Sequence, residues 1–387
     1  MQNNTVLISG ASIGGPALAY WLAEYGFEVT VVERAPAFRP GGQAVDVRGP
    51  ALDVAERMGV LDELRASATD MRGMSVVDAT GKELYRSTEG TISGGDFGTA
   101  DVEILRDDLC QVLFRSTADR VEYLFDDSIA ALSEDAQGLH VSFENGPART
   151  FDLVVGADGL HSNTRRLAFG PEADCITHLG TYLSVFTAPN YLELDRWQVW
   201  YQGGAAGGAI MTARGNTEIR VFVGFETPEP VDYDFRDIEA QKKLVHDRLV
   251  DVGWEFPRAL QYMWDAPDFH FDSMSQIHLE QWWRGRVALI GDAGYCGSPL
   301  SGQGTSMAMV GAYVLAGELK AAGGDHRIAY PAYQDALRGY VADNQRLALT
   351  NKARMAAETG AAQGEAVADT EVQDIGQAVN GLVLKDY

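Results

Sequence analysis

One stretch near the start of the chain, residues 5–34, constrains the fold more than any other. It reads TVLISGASIGGPALAYWLAEYGFEVTVVER. Two short apolar runs rich in β-branched residues enclose a turn of small residues and a segment with an apolar stripe, which is the pattern of strand, helix and strand. Pro16 suits the first turn of a helix and Gly26 its end. The stretch predicts a strand over 5–9, a helix beginning near Pro16 and a second strand over 27–32.

The turn between the first strand and the helix is typical of a dinucleotide-binding site. Gly10 and Gly15 fit G-x-G-x-x-G, and Ser12 replaces the middle glycine. Backbone N–H groups at a helix start attract a pyrophosphate, and a serine hydroxyl can donate to it as well. Glu33, at the end of the second strand, is then the carboxylate that binds the adenosine ribose hydroxyls. A plain βαβ unit without a ligand is the alternative.

Charge and residue usage limit the classes of protein and partner. The 387 residues carry a net charge of −24, which argues against nucleic acid or an anionic membrane as a partner. No run of 18 apolar residues and no basic, apolar leader is found, so we expect a cytoplasmic protein without a membrane span. Cys110, Cys175 and Cys296 match neither a metal motif nor a disulfide framework, and the histidines form no cluster. No metal is therefore expected.

A second informative stretch, residues 151–166, reads FDLVVGADGLHSNTRR. It predicts a buried strand, then Asp158 and a glycine, then a helix that contains Ser162 and Arg165. Ligand sites of α/β sheets lie at the carboxyl ends of strands, so Asp158 is a candidate site residue. An ordinary turn with a helix cap is the equally weighted alternative.

The third stretch, residues 286–318, repeats this pattern. A predicted strand over 287–290 ends at Gly291 and Asp292, and a glycine-rich turn then leads into a helix that begins near Thr305. The start of that helix would again be presented to a ligand.

Two arginines also stand at turns. Residues 34–49 are rich in proline and glycine and predict a long loop that ends at Arg48, ahead of a helix over 50–58. Arg106 begins another predicted helix, where its charge opposes the helix dipole. Each arginine is a candidate to hold an anion or a ring edge. A surface ion pair is the alternative for Arg48.

Residues 177–275 change character to alternating, aromatic-rich strands divided by glycine turns. We expect an inserted antiparallel sheet followed by a single amphipathic helix over 235–249. The aromatic residues are either core or the wall of a pocket for a flat ligand. Strand alternation puts Trp200, Met211 and Phe222 on one side, and a slip of one residue would reverse that choice. Residues 327–356 predict a last helix, and the chain from residue 359 onward is expected to be a loosely held tail.

The three turns, in this order, resemble the motifs of the single-component, class A FAD-dependent aromatic monooxygenases, the class that contains para-hydroxybenzoate hydroxylase. The resemblance covers roughly residues 4–356, and Ser306 stands where that family commonly has asparagine. Within the class, the stretches GASIGGPALAYWL and VDVRG look most like the tetracycline-inactivating and aromatic-polyketide hydroxylases.

The resemblance implies an α/β fold with a Rossmann-like FAD-binding domain, an inserted antiparallel-sheet substrate domain and a C-terminal helix. The FAD-binding domain would comprise residues 1–72, 99–176 and 277–325, the substrate domain residues 73–98 and 177–276, and the C-terminal helix and tail residues 326–387.

The resemblance also implies roles for particular residues around a non-covalently bound FAD. The cofactor-binding set would be Ser12, Ile13, Gly14 and Gly15 at the pyrophosphate, Glu33 at the adenosine ribose with Arg34 beside it, Arg48 and Arg106 at the ribityl–phosphate side, Asp158 near the diphosphate or ribose, Asp292 at the ribityl hydroxyls, and Pro299, Gly302, Gly304 and Thr305 at the isoalloxazine ring. Trp200, Met211 and Phe222 would contact substrate. No side chain is implied as a catalytic residue, since the flavin carries the chemistry.

The implied activity is hydroxylation of a polycyclic aromatic compound, tetracycline-like or an aromatic polyketide, with NAD(P)H and O2 through a C4a-hydroperoxyflavin. NAD(P)H would be a transient co-substrate without its own Rossmann domain, and the protein a monomer or homodimer. The alternatives are hydroxylation of a small phenol, a flavin-dependent reductase or dehydrogenase of the same fold, and a non-enzymatic flavin-binding sensor. The large aromatic sheet favours an enzyme over a sensor.

Overall fold

The computed structural model of the chain describes residues 3–90, 101–360 and 376–387. In chain order the strands are β1 (Thr5–Ser9), β2 (Glu28–Glu33), β3 (Ala44–Val47), β4 (Gly73–Val77), β5 (Glu83–Ser87), β6 (Val102–Leu105), β7 (Glu122–Phe125), β8 (Ile129–Asp135), β9 (Gly138–Phe143), β10 (Arg149–Phe151), β11 (Leu153–Gly156), β12 (Ile176–Pro189), β13 (Trp197–Gly203), β14 (Ala206–Ala213), β15 (Glu218–Glu226), β16 (His270–Ile277), β17 (Trp283–Arg284) and β18 (Val287–Leu289). The helices are α1 (Gly14–Glu24), α2 (Pro50–Arg57), α3 (Leu61–Ala66), α4 (Arg106–Arg115), α5 (Asn163–Phe169), α6 (Ile238–Leu249), α7 (Phe256–Met263), α8 (Asp292–Tyr295), α9 (Gly304–Ala321) and α10 (His326–Gly360).

A six-stranded sheet in the order β17-β18-β11-β1-β2-β7 positions the three turns found in the sequence. Its strands are parallel except for the pair β17–β18. Strands β1, β11 and β18 are almost wholly buried, as strands covered on both faces should be. Because β11 lies between β1 and β18, the turns that follow these three strands meet at one edge of the sheet.

A seven-stranded sheet in the order β16-β12-β15-β14-β13-β4-β5 forms the second layer of the molecule. All its neighbouring strands are antiparallel except β13 and β4. Helices α6 and α7 cover one face, where Tyr201, Val221 and Phe225 pack with Leu249 and Phe256. The prediction of an antiparallel sheet within an α/β chain is confirmed. The prediction of one helix after this sheet is wrong, because α6 ends at Leu249, Gly253 turns the connection with a φ of 94°, and Pro257 sits in the first turn of another helix, α7.

The loop predicted over residues 34–49 contains a strand. Ala44–Val47 form β3 and pair with β6 in an antiparallel ribbon. The loop prediction is wrong for these four residues. Their partner strand lies far along the chain, so no local sequence pattern indicates the pairing. A third small sheet, β8–β9–β10, packs under β1 and β2 through a separate apolar cluster.

The end of the chain is docked rather than loosely held. In residues 376–387, Ala378 is buried, Tyr387 packs on Tyr313, and its hydroxyl donates to Glu318 on α9 over 2.8 Å. Gly317 makes room for the Tyr387 ring, since a Cβ there would lie 2.1 Å from it. The prediction of a loose tail is therefore wrong for residues 376–387, and residues 361–375 lie outside the described residues. In the described part of the chain, no helix has the length and apolarity needed to cross a membrane.

Candidate functional site

The turns after β1, β11 and β18 touch one another. Gly10 has a positive φ of 106°, and a Cβ there would lie 2.5 Å from the Ala157 carbonyl oxygen. A Cβ on Gly14 would lie 3.3 Å from the Ile290 side chain. Small residues are thus needed where the first turn meets the other two, and the structure brings together three motifs that are far apart in the sequence.

The start of α1 presents unpaired backbone donors. The first intrahelical bond runs from the Ala17 N–H to the Ile13 carbonyl. Within the described residues no backbone carbonyl accepts the N–H groups of residues 12–15. A Cβ on Gly15 would lie only 1.9 Å from the Gly10 carbonyl oxygen, so glycine is required there. The turn therefore has the donors and the open backbone that a pyrophosphate needs.

Glu33 ends β2 beside this turn. Its two carboxylate oxygens accept hydrogen bonds of 2.9 Å from the N–H groups of Ala11 and Ala35. Each oxygen keeps a further lone pair, so the carboxylate is held in place and can still accept from a ligand hydroxyl. Arg34, which follows it, is exposed.

Arg106 reaches the glycine turn through a cysteine. Its Nη1 lies 3.7 Å from the Cys110 sulfur, which lies 3.6 Å from the Ser12 hydroxyl. Its Nη2 donates to the carbonyls of Arg39 and Gly41 over 3.1 Å. Burial raises the pKa of Cys110, so the thiol is neutral. The sequence did not point to Cys110, because nothing local shows that α4 packs against the turn.

Arg48 is buried and tied to α9. Its backbone N–H donates to the Ser306 hydroxyl over 3.1 Å, and its guanidinium pairs with Asp46 at 3.0 Å and Asp101 at 3.5 Å. The serine at the family's usual asparagine position thus links the first turn of α9 to the Arg48 loop.

Two carboxylates beside Arg48 face each other across the β3–β6 ribbon. Asp46 and Glu103 are direct cross-strand partners, an arrangement that disfavours two negative charges. Burial, together with the charge of Asp46, raises the pKa of Glu103 to about 7, although a hydroxyl bond from Thr69 and the nearby Arg48 oppose this. Burial also raises the pKa of Asp46. This pair was not predicted, because the sequence of β3 reads as part of a loop.

Asp158 serves its own turn. Its carboxylate accepts from the hydroxyls of Ser9 at 3.2 Å and Thr164 at 2.8 Å, from the Thr164 N–H at 2.9 Å, and from the Ser162 hydroxyl. These bonds tie the end of β1 to the start of α5. Its backbone lies against Gly10, so the residue borders the site, and a contact of its side chain with a cofactor stays a prediction.

The third motif forms the other side of the site. Asp292 begins α8 with its side chain exposed, and its Oδ1 lies 4.0 Å from the position of a Cβ on Gly304, the first residue of α9. The Asp292 side chain is open to solvent, yet the protein groups packed around its carboxyl raise its pKa by partly desolvating it. Pro299 begins a 3₁₀ turn and Gly302 ends it in the left-handed conformation, with Thr305 in the first turn of α9.

Trp200, Met211 and Phe222 do share one face of the seven-stranded sheet, the face turned away from α6 and α7. On that face Arg220 donates to the carbonyl of Gly42 over 3.0 Å, in the loop that also covers Arg106. The aromatic face is therefore turned toward the site.

A separate cavity of about 390 Å³ lies between the α3–β4 connection and the β14–β15 turn. Thr69, Asp108, Arg196 and Arg214 line it, and both arginines are paired with carboxylates. None of the predicted site residues lines this cavity, so it is not the candidate site. Within the described residues, no group of three or more His, Cys, Asp or Glu side chains is placed to hold a metal.

Comparison with known proteins places this chain in a family. Residues 3–329 match the family described as FAD binding domain. An uncharacterized protein of Mycobacterium tuberculosis (strain ATCC 25618 / H37Rv) is 50% identical over 383 residues, which cover 99% of this chain and 100% of that protein. A flavin-dependent monooxygenase of Legionella longbeachae serogroup 1 (strain NSW150) is 39% identical over 348 residues, 89% of this chain and 88% of that protein.

Solved structures agree. The tetracycline destructase Tet(51) superposes with a TM-score of 0.88 at 35% identity, over 100% of both chains. The tetracycline destructase Tet(55) superposes with a TM-score of 0.86 at 37% identity, over 100% of this chain and 99% of that one. The chain belongs to the FAD binding domain family, and it is an FAD-dependent monooxygenase of the class A fold. The predictions of fold class, cofactor and enzyme class are confirmed.

Proposed function

We propose that the enzyme hydroxylates a polycyclic, oxygenated aromatic compound, a tetracycline or an aromatic-polyketide intermediate, with NAD(P)H and O2. The observation that carries this proposal is the row of side chains on the free face of the seven-stranded sheet. Trp200 and Phe222 are half-buried there and stand opposite the same residue of β14, Ala209.

The spacing of this row suits a flat ring system. Trp200 and Phe222 lie two strand separations apart, about 10 Å, and only the methyl group of Ala209 stands between them. A flat ring needs about 3.5 Å of contact distance on each of its two faces. The gap between Trp200 and Phe222 therefore has room for one aromatic ring system between them. Gln198 accepts the indole N–H of Trp200 over 3.0 Å and fixes that side chain. Met211 is buried between Gln198 and Arg220 and backs the wall.

The cofactor residues predicted from the sequence fit an FAD at the edge of the six-stranded sheet. We assign the donors of residues 12–15 to the pyrophosphate, Glu33 to the adenosine ribose, and Asp292 to the ribityl hydroxyls. Support comes from the unpaired N–H groups of residues 12–15, the room left by Gly15 and the open lone pairs of Glu33. The remaining assignments are Arg34, Arg48, Arg106 and Asp158 near the phosphates and sugars, and Pro299, Gly302, Gly304 and Thr305 at the ring.

The bound FAD supplies the redox chemistry, accepting a hydride from NAD(P)H and passing one atom of O2 to the substrate. The protein's own part is electrostatic and steric. The start of α9 would offer a positive pole to negative charge on a bound flavin, and the aromatic face of the seven-stranded sheet would keep water away from it. In this division, residues 1–72, 99–176 and 277–325 bind FAD, and residues 73–98 and 177–276 bind the substrate.

Turnover with three ligands tests the substrate class. We expect tetracycline or an anthraquinone to stimulate NAD(P)H oxidation and to yield a product that gains one oxygen by mass spectrometry. A simple hydroxybenzoate should do neither. Turnover and oxygen gain with the hydroxybenzoate alone would overturn the polycyclic proposal, and ligand reduction without oxygen uptake would favour a reductase.

A further inference from the structure

His161, in the turn between β11 and α5, bridges the two layers of the molecule. Its Nδ1 lies 2.8 Å from Oε1 of Glu172, and its Nε2 lies 3.1 Å from Oδ1 of Asp272. Glu172 follows α5 on the side of the six-stranded sheet, whereas Asp272 belongs to β16 in the seven-stranded sheet. One imidazole thus joins a carboxylate from each layer.

Both contacts require a charged ring. A neutral imidazole has a single N–H and could donate to only one of the carboxylates, whereas an imidazolium donates to both. Although burial opposes the charge, the hydrogen bonds with Asp272 and Glu172 raise the pKa of His161 to about 10. At neutral pH the bridge is therefore cationic.

The bridge continues to the flavin side of the site. The second oxygen of Glu172 accepts a 2.6 Å bond from Arg165, which is fully buried. Arg165 also donates to the carbonyl of Ala293 over 3.0 Å, and Ala293 directly follows Asp292. The chain of contacts therefore runs from β16 through His161 to the turn that carries Asp292.

The neighbours of His161 hold it in place. Tyr233 donates to the same Oδ1 of Asp272 over 2.9 Å, and the Phe235 ring stacks on the imidazole at 5.4 Å and 12°. His270, two residues before Asp272 on β16, has a lowered pKa because of burial, so it adds no charge at neutral pH. The groups that face the imidazolium are thus its two carboxylates, with Arg165 and Tyr233 behind them.

We propose that His161 is a positioning residue, a cationic latch that fixes the substrate sheet against the Asp292 turn. It holds the aromatic face at a set distance from the flavin side without touching the reaction itself. The kinetic consequence rests on the proposed function, whereas the charge state of the latch does not.

Histidine NMR tests the latch directly. In ¹⁵N-histidine-labelled wild-type holoenzyme at pH 8, we expect one imidazole with both nitrogens protonated. Its signal should disappear in His161→Gln, or in Asp272→Asn if the first variant does not fold. The signal should persist in His140→Gln, a matched control on β9 whose ring contacts Asp135 of β8 and Thr150 of β10. Absence of a doubly protonated imidazole assignable to His161 at pH 8 would overturn the proposal.

Kinetics separates positioning from general support of the fold. For His161→Gln we expect the KM for the polycyclic substrate to rise about tenfold, the size expected for losing one charge-assisted bond, with kcat changed much less. Product formed per NAD(P)H oxidised should fall, and adding Asp272→Asn should cost little more. An equal rise in KM and an equal fall in product formed per NAD(P)H oxidised in His140→Gln would contradict the latch. If the wild type accepts no polycyclic ligand, the substrate proposal fails while the NMR result still decides the latch.

Discussion

The two regions that we propose to bind the flavin and the substrate, called here the flavin side and the substrate sheet, are built in different ways. On the flavin side, short turns follow parallel strands, and their glycines are fixed by backbone contacts such as the 1.9 Å clearance at Gly15. On the substrate side, a flat surface is made by alternate residues of several strands, and Trp200 and Phe222 meet only across Ala209. The first construction tolerates almost no change, whereas the second is set by side chains that can vary.

This contrast predicts that substitutions in the two regions have different consequences. A substitution in the turns meets backbone atoms that cannot move, so cofactor binding should respond sharply. A substitution on the sheet face changes shape and affinity without disturbing the strands beneath.

The largest effect is expected for Gly15→Ala. The new methyl group would collide with the Gly10 carbonyl and push apart the turn and α1, so the purified protein should lose its FAD. The ratio of flavin to protein absorbance after gel filtration measures the loss. Gly339→Ala in α10 is the matched control, because a Cβ there meets nothing within 4 Å, and it should keep FAD and gain up to about 1 kcal/mol of stability. FAD retained at full occupancy in Gly15→Ala would show that the turn tolerates a methyl group at this position.

Asp292→Ala should weaken FAD binding without unfolding the protein. A carboxylate that accepts a hydrogen bond from a ribityl hydroxyl contributes roughly 1.5–3 kcal/mol, which corresponds to a rise in Kd of about 10- to 150-fold. Titration of the apoprotein with FAD, followed by flavin fluorescence, gives the affinity. Asp62→Ala, at an exposed carboxylate on α3, should leave the Kd unchanged. An unaltered Kd in Asp292→Ala would remove this residue from the cofactor side.

Glu103→Gln probes the junction between the two regions. The folded-state pKa of Glu103 is raised from 4.5 to about 7, so ionisation opposes folding, and wild-type stability is lost as pH rises from about 4.5 through 7. The glutamine escapes this loss. In urea unfolding of the apoprotein, the variant should gain roughly 1–3 kcal/mol relative to wild type between pH 5 and pH 8. An equal difference between the two proteins at both pH values would mean that Glu103 does not titrate in this range.

Phe222→Ala should give the smallest effect, confined to the substrate. Loss of one aromatic wall removes a stacking contact of about 0.5–1.5 kcal/mol, so the affinity for a polycyclic ligand should fall about two- to tenfold while the Kd for FAD stays the same. Ligand-induced changes in the flavin absorbance report both affinities. Trp264→Ala is the control, because Trp264 is exposed beyond α7. A change in FAD affinity with no change in ligand affinity would assign Phe222 to the cofactor side instead.

The sequence by itself determined the strands and turns at the edge of the six-stranded sheet. Strand β1, the start of α1 and the position of Glu33 were predicted because they depend on neighbours within a few residues. Where the fold leaves no room for a Cβ, the sequence has glycine, which is visible without the structure. The same reasoning placed Asp292 just after a buried strand and predicted the start of α9, and the cofactor role of Asp292 stays a prediction. Local sequence patterns predicted the motifs but not their contacts. Nothing local shows that the Asp158 carboxylate accepts hydrogen bonds from the hydroxyls of Ser9 and Thr164.

Only the tertiary structure decided the rest. Strand β3 and the Asp46–Glu103 pair depend on the register of a partner strand far along the chain, and the docking of Tyr387 on Gly317 joins segments 70 residues apart. Alternation put Trp200, Met211 and Phe222 on one face, but the packing of α6 and α7 decided that this face is open. The contacts of His161 with the carboxylates of Glu172 and Asp272 likewise depend on how the chain folds. Contacts between distant segments leave no local pattern because each partner is an ordinary residue until the chain has folded.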